Sequence, residues 1–190
     1  MNKQLFIVHG YQATPQDHWF PWLAEEMRKE GYQTTSIALP HSDQPQYEEW
    51  QATLHQYLDQ HIDQNTIIVA HSLGVIAILS YLTSLPQSIK LKGLFLVAGF
   101  NEPLPHIPQL DTFIHRCDVR FSKVQAQHMY TIAASEDPAV PLAATNRVSH
   151  GLNISTTIVQ HQGHFLGREG FTSFEALKDM LVNICLLYTS

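Results

Sequence analysis

Cysteine is scarce in this chain: Cys117 and Cys185 are the only two in 190 residues and stand far apart, which argues against a disulfide framework and for a reducing, cytoplasmic setting. Long apolar runs are missing as well. No stretch approaches the ~18 residues of a membrane helix, and the first ten residues hold no apolar signal-peptide core or small-residue cleavage site. Cations are the minority, 11 Lys and Arg against 17 Asp and Glu for a formal charge of −6, and no basic run occurs. Neither a nucleic acid nor a membrane surface is therefore an expected partner, because both demand clustered cations. Nucleotide motifs are absent too. The loop after the first apolar run, His9-Gly10-Tyr11-Gln12, fits neither G-x-G-x-x-G nor G-x-x-x-x-G-K-[ST], so no cofactor is implied.

What is present is an ordinary globular composition, 44% hydrophobic, in a length that suits one domain. Apolar runs of strand length recur at 5–9, 34–39, 66–70, 93–98, 130–134 and 156–160. Several are apolar at nearly every position, which fits strands covered on both faces. Helical patterns separate them. Tyr47, Trp50, Leu54, Leu58 and Ile62 recur at spacings of three and four. Another helix starts near Phe20, beside Pro21, and stops at Gly31. A last one opens on Thr172-Ser173-Phe174-Glu175, a capping-box pattern. The alternation predicts a doubly wound α/β domain over residues 1–184, with a mostly parallel sheet of about six strands flanked by helices. Residues 100–129 break the rhythm with a proline-bearing start and read as a small cap with helices near 110–115 and 122–128. The tail, 185–190, has no place in the pattern.

One run carries chemistry. Thr66-Ile67-Ile68-Val69-Ala70-His71-Ser72-Leu73-Gly74 reads strand, sharp turn, helix, with a serine at the apex. In the elbow motif G-x-S-x-G such a turn lifts the serine oxygen above the sheet, and small flanking residues let strand and helix approach. Ala70 replaces the first glycine, and Gly74 is retained. Taken alone, the pentapeptide reads equally well as a helix N-cap. A serine nucleophile needs a base and an acid, and in the α/β-hydrolase fold they follow in the order Ser, Asp or Glu, His.

Candidates stand at the ends of later strands. Asp137, in Asp137-Pro138-Ala139-Val140-Pro141, is the candidate acid, with Glu136 and then Asp111 as alternates; an Asp before proline is also a common surface turn. His164, in His161-Gln162-Gly163-His164-Phe165, is the candidate base, with Gly163 allowing a tight backbone path. His161 reads as a structural histidine. No cysteine or carboxylate cluster completes a metal site around the two histidines, so no metal is expected. Oxyanion donors are expected from the backbone amides of Leu73 and Tyr11, although Tyr11 also reads as a plain loop aromatic. Gly10, His71 and Trp19 flank these groups and are candidates to contact substrate. Tryptophans at helical spacing, such as Trp19 and Trp22, equally suit a core.

Together these segments resemble the small YdeN-like serine hydrolases, related to the retinoblastoma-binding protein 9 type. The resemblance rests on His9-Gly10-Tyr11, His18-Trp19-Phe20-Pro21-Trp22, Leu39-Pro40 with Trp50, Val69-Ala70-His71-Ser72-Leu73-Gly74, Asp137-Pro138 with Val140-Pro141, and Gly163-His164-Phe165, and it spans about 4–181. It implies a compact α/β-hydrolase fold with a minimal cap and a triad at Ser72, Asp137 and His164. It names no substrate. The expected reaction is hydrolysis of a small-molecule ester, with amides and thioesters as alternatives, through an acyl-serine. The related mammalian type is also discussed as a partner of a regulatory protein, so a protein-binding module with a vestigial triad is the competing expectation.

Overall fold

The computed structural model describes residues 3–187. Six parallel strands form one sheet in the order β2-β1-β3-β4-β5-β6. In chain order these are β1 (Gln4–Val8), β2 (Gln33–Ile37), β3 (Ile67–His71), β4 (Lys90–Val97), β5 (Gln125–Glu136) and β6 (Thr156–Gln162). The helices are α1 (Phe20–Lys29), α2 (Tyr47–Leu58), α3 (Leu73–Ser84), α4 (Asp111–Arg116), α5 (Leu142–Gly151) and α6 (Glu175–Leu186). This is the α/β-hydrolase fold. No helix among the described residues is long and apolar enough to cross a membrane.

The two-residue period of a strand divides the core into two layers. Leu5, Ile7, Ile67, Val69, Phe95 and Val97 pack against α1 and α6. Their neighbours Phe6, Val8, Ile68, Ala70, Leu94 and Leu96 pack against α2, α3 and α5. Because the central strands are buried on both faces they read as unbroken apolar runs, whereas the edge strand β6, Thr-Thr-Ile-Val-Gln-His-Gln, is largely exposed and mostly polar. Helix α3 is buried on all sides over 73–83, which explains its lack of a polar face.

The chain leaves β1 toward β2 and then returns past β1 to β3, so the sheet order reverses between β1 and β3. The loops after these two strands diverge and open a crevice at their carboxyl ends, the place where open α/β sheets bind ligands. Both candidate oxyanion residues and the candidate nucleophile stand there.

Four local expectations need correction. Residues 122–128 are not a helix: a 3-10 turn spans Phe121–Lys123, and β5 begins at Gln125. Gln125 and Ala126 pair with Lys90 and Leu91 of β4, and this ladder overrides the helical preference of Gln and Ala. The capping box at Thr172 does not form. Helix α6 starts one residue after Phe174, which makes no side-chain cap and is held by ring contacts with Trp19, Phe165 and Phe171. Helix α2 ends at Leu58, leaving Ile62 buried beyond it in the following turn. The tail is not wholly incidental, since Cys185 and Leu186 complete α6 and the Cys185 thiol lies 3.1 Å from the Tyr32 hydroxyl. Its last three residues, 188–190, lie outside the described residues. In the 100–129 segment α4 does form, and Phe113 meets the Trp50 ring edge-on at 5.1 Å, so this segment is packed down onto α2.

Candidate active site

The elbow between β3 and α3 places Ser72 at φ 55°, ψ −124°, a backbone region that L-residues rarely enter. Such strain costs roughly 1–3 kcal/mol and persists only where neighbours enforce it. Here the Ser72 amide donates to the Val97 carbonyl at 2.9 Å, and the Val75 amide donates to the Ser72 carbonyl at 2.9 Å. Two glycines make room. A Cβ on Gly10 would lie 2.9 Å from both the His71 carbonyl oxygen and the Ser72 Cβ, and one on Gly74 would lie 2.8 Å from the Val8 carbonyl oxygen. Ala70 is fully buried within β3, paired with Val8 and Leu96. Ser72 makes no side-chain cap for α3, which removes the N-cap reading. Substitution of Ser72 by glycine is expected to raise unfolding free energy by about 1 kcal/mol, because glycine adopts positive φ without penalty. Urea denaturation checks it.

Instead the Ser72 hydroxyl meets His164, with Oγ 2.8 Å from Nε2, while His164 Nδ1 lies 2.6 Å from Asp137 Oδ2. The carboxylate accepts from Nδ1–H, which leaves the Nε2 lone pair to accept from the serine hydroxyl. Asp137 is itself fixed, since its Oδ1 accepts the amides of Ala139 and Val140 at 2.8 and 2.9 Å. The alternates stand elsewhere: Glu136 is exposed and bonds Gln162, and Asp111 opens α4.

The His164 loop is held by a carboxylate that the sequence does not advertise. Glu169 accepts the amides of His164, at 2.8 Å, and Leu166, at 2.9 Å, and lies 3.2 Å from His161 Nε2. Burial pushes its carboxyl pKa up, but these donors together outweigh burial and hold it below the ordinary value. His161 accordingly serves this carboxylate and stacks on Phe165. Glu169→Gln sets an amide NH2 against backbone donors. It is expected to cost roughly 1–3 kcal/mol of stability and to lower kcat while leaving KM nearly unchanged. Urea titration and steady-state ester kinetics on one preparation measure both.

Beneath the loop, His71 Nε2–H donates to the His164 carbonyl at 2.9 Å. His71 is buried, as is Trp19, and neither reaches the cleft; Trp19 packs its ring on Phe20, His71 and Phe174. The expectation that they contact substrate is thus corrected: the chain folds over both, and they serve as support. Gly10 is also buried, and its part is steric, as above.

His9 orients the first-strand loop. The Leu39 amide donates to His9 Nε2 at 2.9 Å, so the ring proton sits on Nδ1 and is donated to the Gly10 carbonyl, also at 2.9 Å. The peptide joining Gly10 to Tyr11 is trans, so the Tyr11 N–H points away from the His9 ring. Among the described residues neither the Tyr11 amide nor the Leu73 amide donates within the chain. A cleft of about 310 Å³ opens over Ser72 and His164, walled by Tyr11, His18, Leu110 and Arg168.

Burial lowers the pKa of His71 furthest, and also lowers those of His9 and His18, from an ordinary 6.5. The unfolded chain therefore binds protons below pH 6.5 that the native histidines refuse. Stability is full above that pH and falls as pH drops toward the lowered values, with a slope approaching about 1.4 kcal/mol per pH unit for His71. Urea midpoints measured across this range are expected to decline with acid.

Strand order, elbow and hydrogen-bonded Ser-His-Asp chain together define a hydrolase of the α/β type. Residues 5–183 match the serine hydrolase family, and the chain belongs to it. It is 39% identical to the YdeN protein of Bacillus subtilis (strain 168) over 96% of each chain. The crystal structure of the ydeN gene product superposes with a TM-score of 0.91 over 96% of this chain and 98% of that one. The serine hydrolase RBBP9 of Rattus norvegicus is 22% identical over 86% of each chain. Est1E from Butyrivibrio proteoclasticus shares the fold at 15% identity, with a TM-score of 0.69 over 97% of this chain and 89% of that one.

Proposed function

We propose that the protein hydrolyses a small carboxylic ester through an acyl-serine intermediate. The observation that carries this reading is the unbroken chain from Ser72 Oγ to His164 Nε2, 2.8 Å, and from His164 Nδ1 to Asp137 Oδ2, 2.6 Å. His164 takes the hydroxyl proton as Ser72 attacks the carbonyl carbon, and Asp137 holds the ring tautomer and balances the imidazolium. The oxyanion of the tetrahedral intermediate is received by the Leu73 and Tyr11 amides, which have no other acceptor within the chain among the described residues. His164 then protonates the departing alkoxide, and a water activated by the same ring releases the acid and restores Ser72. Glu169, His71 and His9 are positioning residues that act through the His164 loop and the Tyr11 peptide.

Acid quenching during turnover of p-nitrophenyl acetate tests the proposal. The expected result is one acetyl group on the peptide containing Ser72. Turnover without any acetylated protein, or acetylation equally abundant in Ser72→Ala, contradicts it.

A further inference from the structure

The lining of the cleft is mixed in chemistry. Phe100, Leu104, Ile107 and Leu110, from the 100–129 segment, supply apolar surface, with Gln109 among them, whereas His18, from the loop before α1, and Arg168, from the loop after β6, supply polar groups. We propose that His18 and Arg168 form a carboxylate subsite, so that the preferred esters carry one apolar arm and one anionic arm. The inference rests on the ester-hydrolase reading above and assigns a substrate class to that site.

Arg168 differs from the other arginines. Of the five in the sequence, Arg28, Arg116, Arg120 and Arg147 each pair with a carboxylate, and among the described residues Arg168 does not. The acids of the loops around the cleft are already engaged. Asp137 serves His164 and two amides, and Glu169 serves His161 and the amides of His164 and Leu166. Asp17 accepts from the amide and hydroxyl of Thr14. The cation is thus left for something outside the chain.

Its backbone, by contrast, is fixed on both sides. The Gly167 amide donates to His18 Nδ1 at 2.9 Å, and the Glu169 carboxylate is tied into the His164 loop. His18 is held at φ 54°, a left-handed conformation that costs a histidine roughly 1–2 kcal/mol and that here carries the ring to the cleft wall. Because Nδ1 accepts from Gly167, the neutral ring keeps its proton on Nε2, which has no partner within the chain among the described residues. Burial holds His18 below its ordinary pKa, so at neutral pH it is a neutral donor and not a competing cation. A planar guanidinium and a ring N–H lining the same cleft suit the two oxygens of a carboxylate.

The experiment uses ester pairs that differ only in charge. The leaving-group pair is 4-acetoxybenzoate and its methyl ester; the acyl-arm pair is monophenyl adipate and phenyl methyl adipate. Values of kcat/KM are normalised to spontaneous hydrolysis. Wild type is expected to favour the anionic member of one pair about tenfold, chiefly through KM, and to lose that preference in about 1 M salt, where charges are screened beyond ~3 Å. Arg168→Gln is expected to abolish the preference and Arg168→Lys to keep part of it. Equal or greater turnover of the neutral member in both pairs overturns the proposal, as does a preference that survives Arg168→Gln. Failure of wild type to turn over any of the four esters overturns the ester reading itself, and this inference with it.

Discussion

Ser72→Ala, His164→Ala and the double variant are each expected to lower kcat on a p-nitrophenyl ester by the same factor, on the order of 10⁵–10⁶. Equality follows from the geometry. The serine hydroxyl is useful only if Nε2, 2.8 Å away, accepts its proton, and the ring is useful only if that hydroxyl is there to deprotonate. Once either is gone the other has no role, so the second loss adds nothing. What remains above water is expected to come from the cleft and the two backbone amides, which neither substitution touches. If the double variant proved as impaired as the product of the singles, the two groups would be acting independently, contrary to this account.

Asp137→Asn is expected to lower kcat by about 10⁴ without disturbing the fold. The amide oxygen can still accept from the Ala139 and Val140 amides, which contact Oδ1 in the native protein. That preference places the new NH2 at the Oδ2 position, facing His164 Nδ1 at 2.6 Å. A donor there favours the ring tautomer protonated on Nε2, and such a ring cannot accept from Ser72. The defect is one of proton placement. Near-UV circular dichroism is expected to match wild type, and Asp137→Ala to lose stability as well, because it leaves two amides unsatisfied.

The parts of this site that were legible in the sequence are those whose signal is local. A strand, a serine and a helix in immediate succession announce the turn around Ser72, and Asp137 and His164 each follow their own apolar run. The fold draws these three residues into one hydrogen-bonded chain. Glu169 carried no comparable signal: its neighbours Arg168 and Gly170 suggest only a surface turn, and its partners are main-chain amides with no side-chain identity to read. His9 and His18 were two among 12 histidines, and their roles come from bonds to Leu39 and Gly167, distant in sequence. His71 and Trp19 were misplaced toward substrate for the opposite reason. Proximity in sequence to Ser72 and the first loop puts them near the candidate site, while the layer between β3 and α1 covers them. The extended β5 and the missing capping box follow the same pattern, with pairing to β4 and the aromatic cluster around Phe174 outweighing local preference.

The most direct test is labelling of the folded protein with a fluorophosphonate, followed by peptide mapping. Such a probe reacts only with a serine activated by its base. Stoichiometric modification is expected at Ser72 in wild type and none in Ser72→Ala or His164→Ala. Labelling at another residue, or undiminished labelling of His164→Ala, contradicts it.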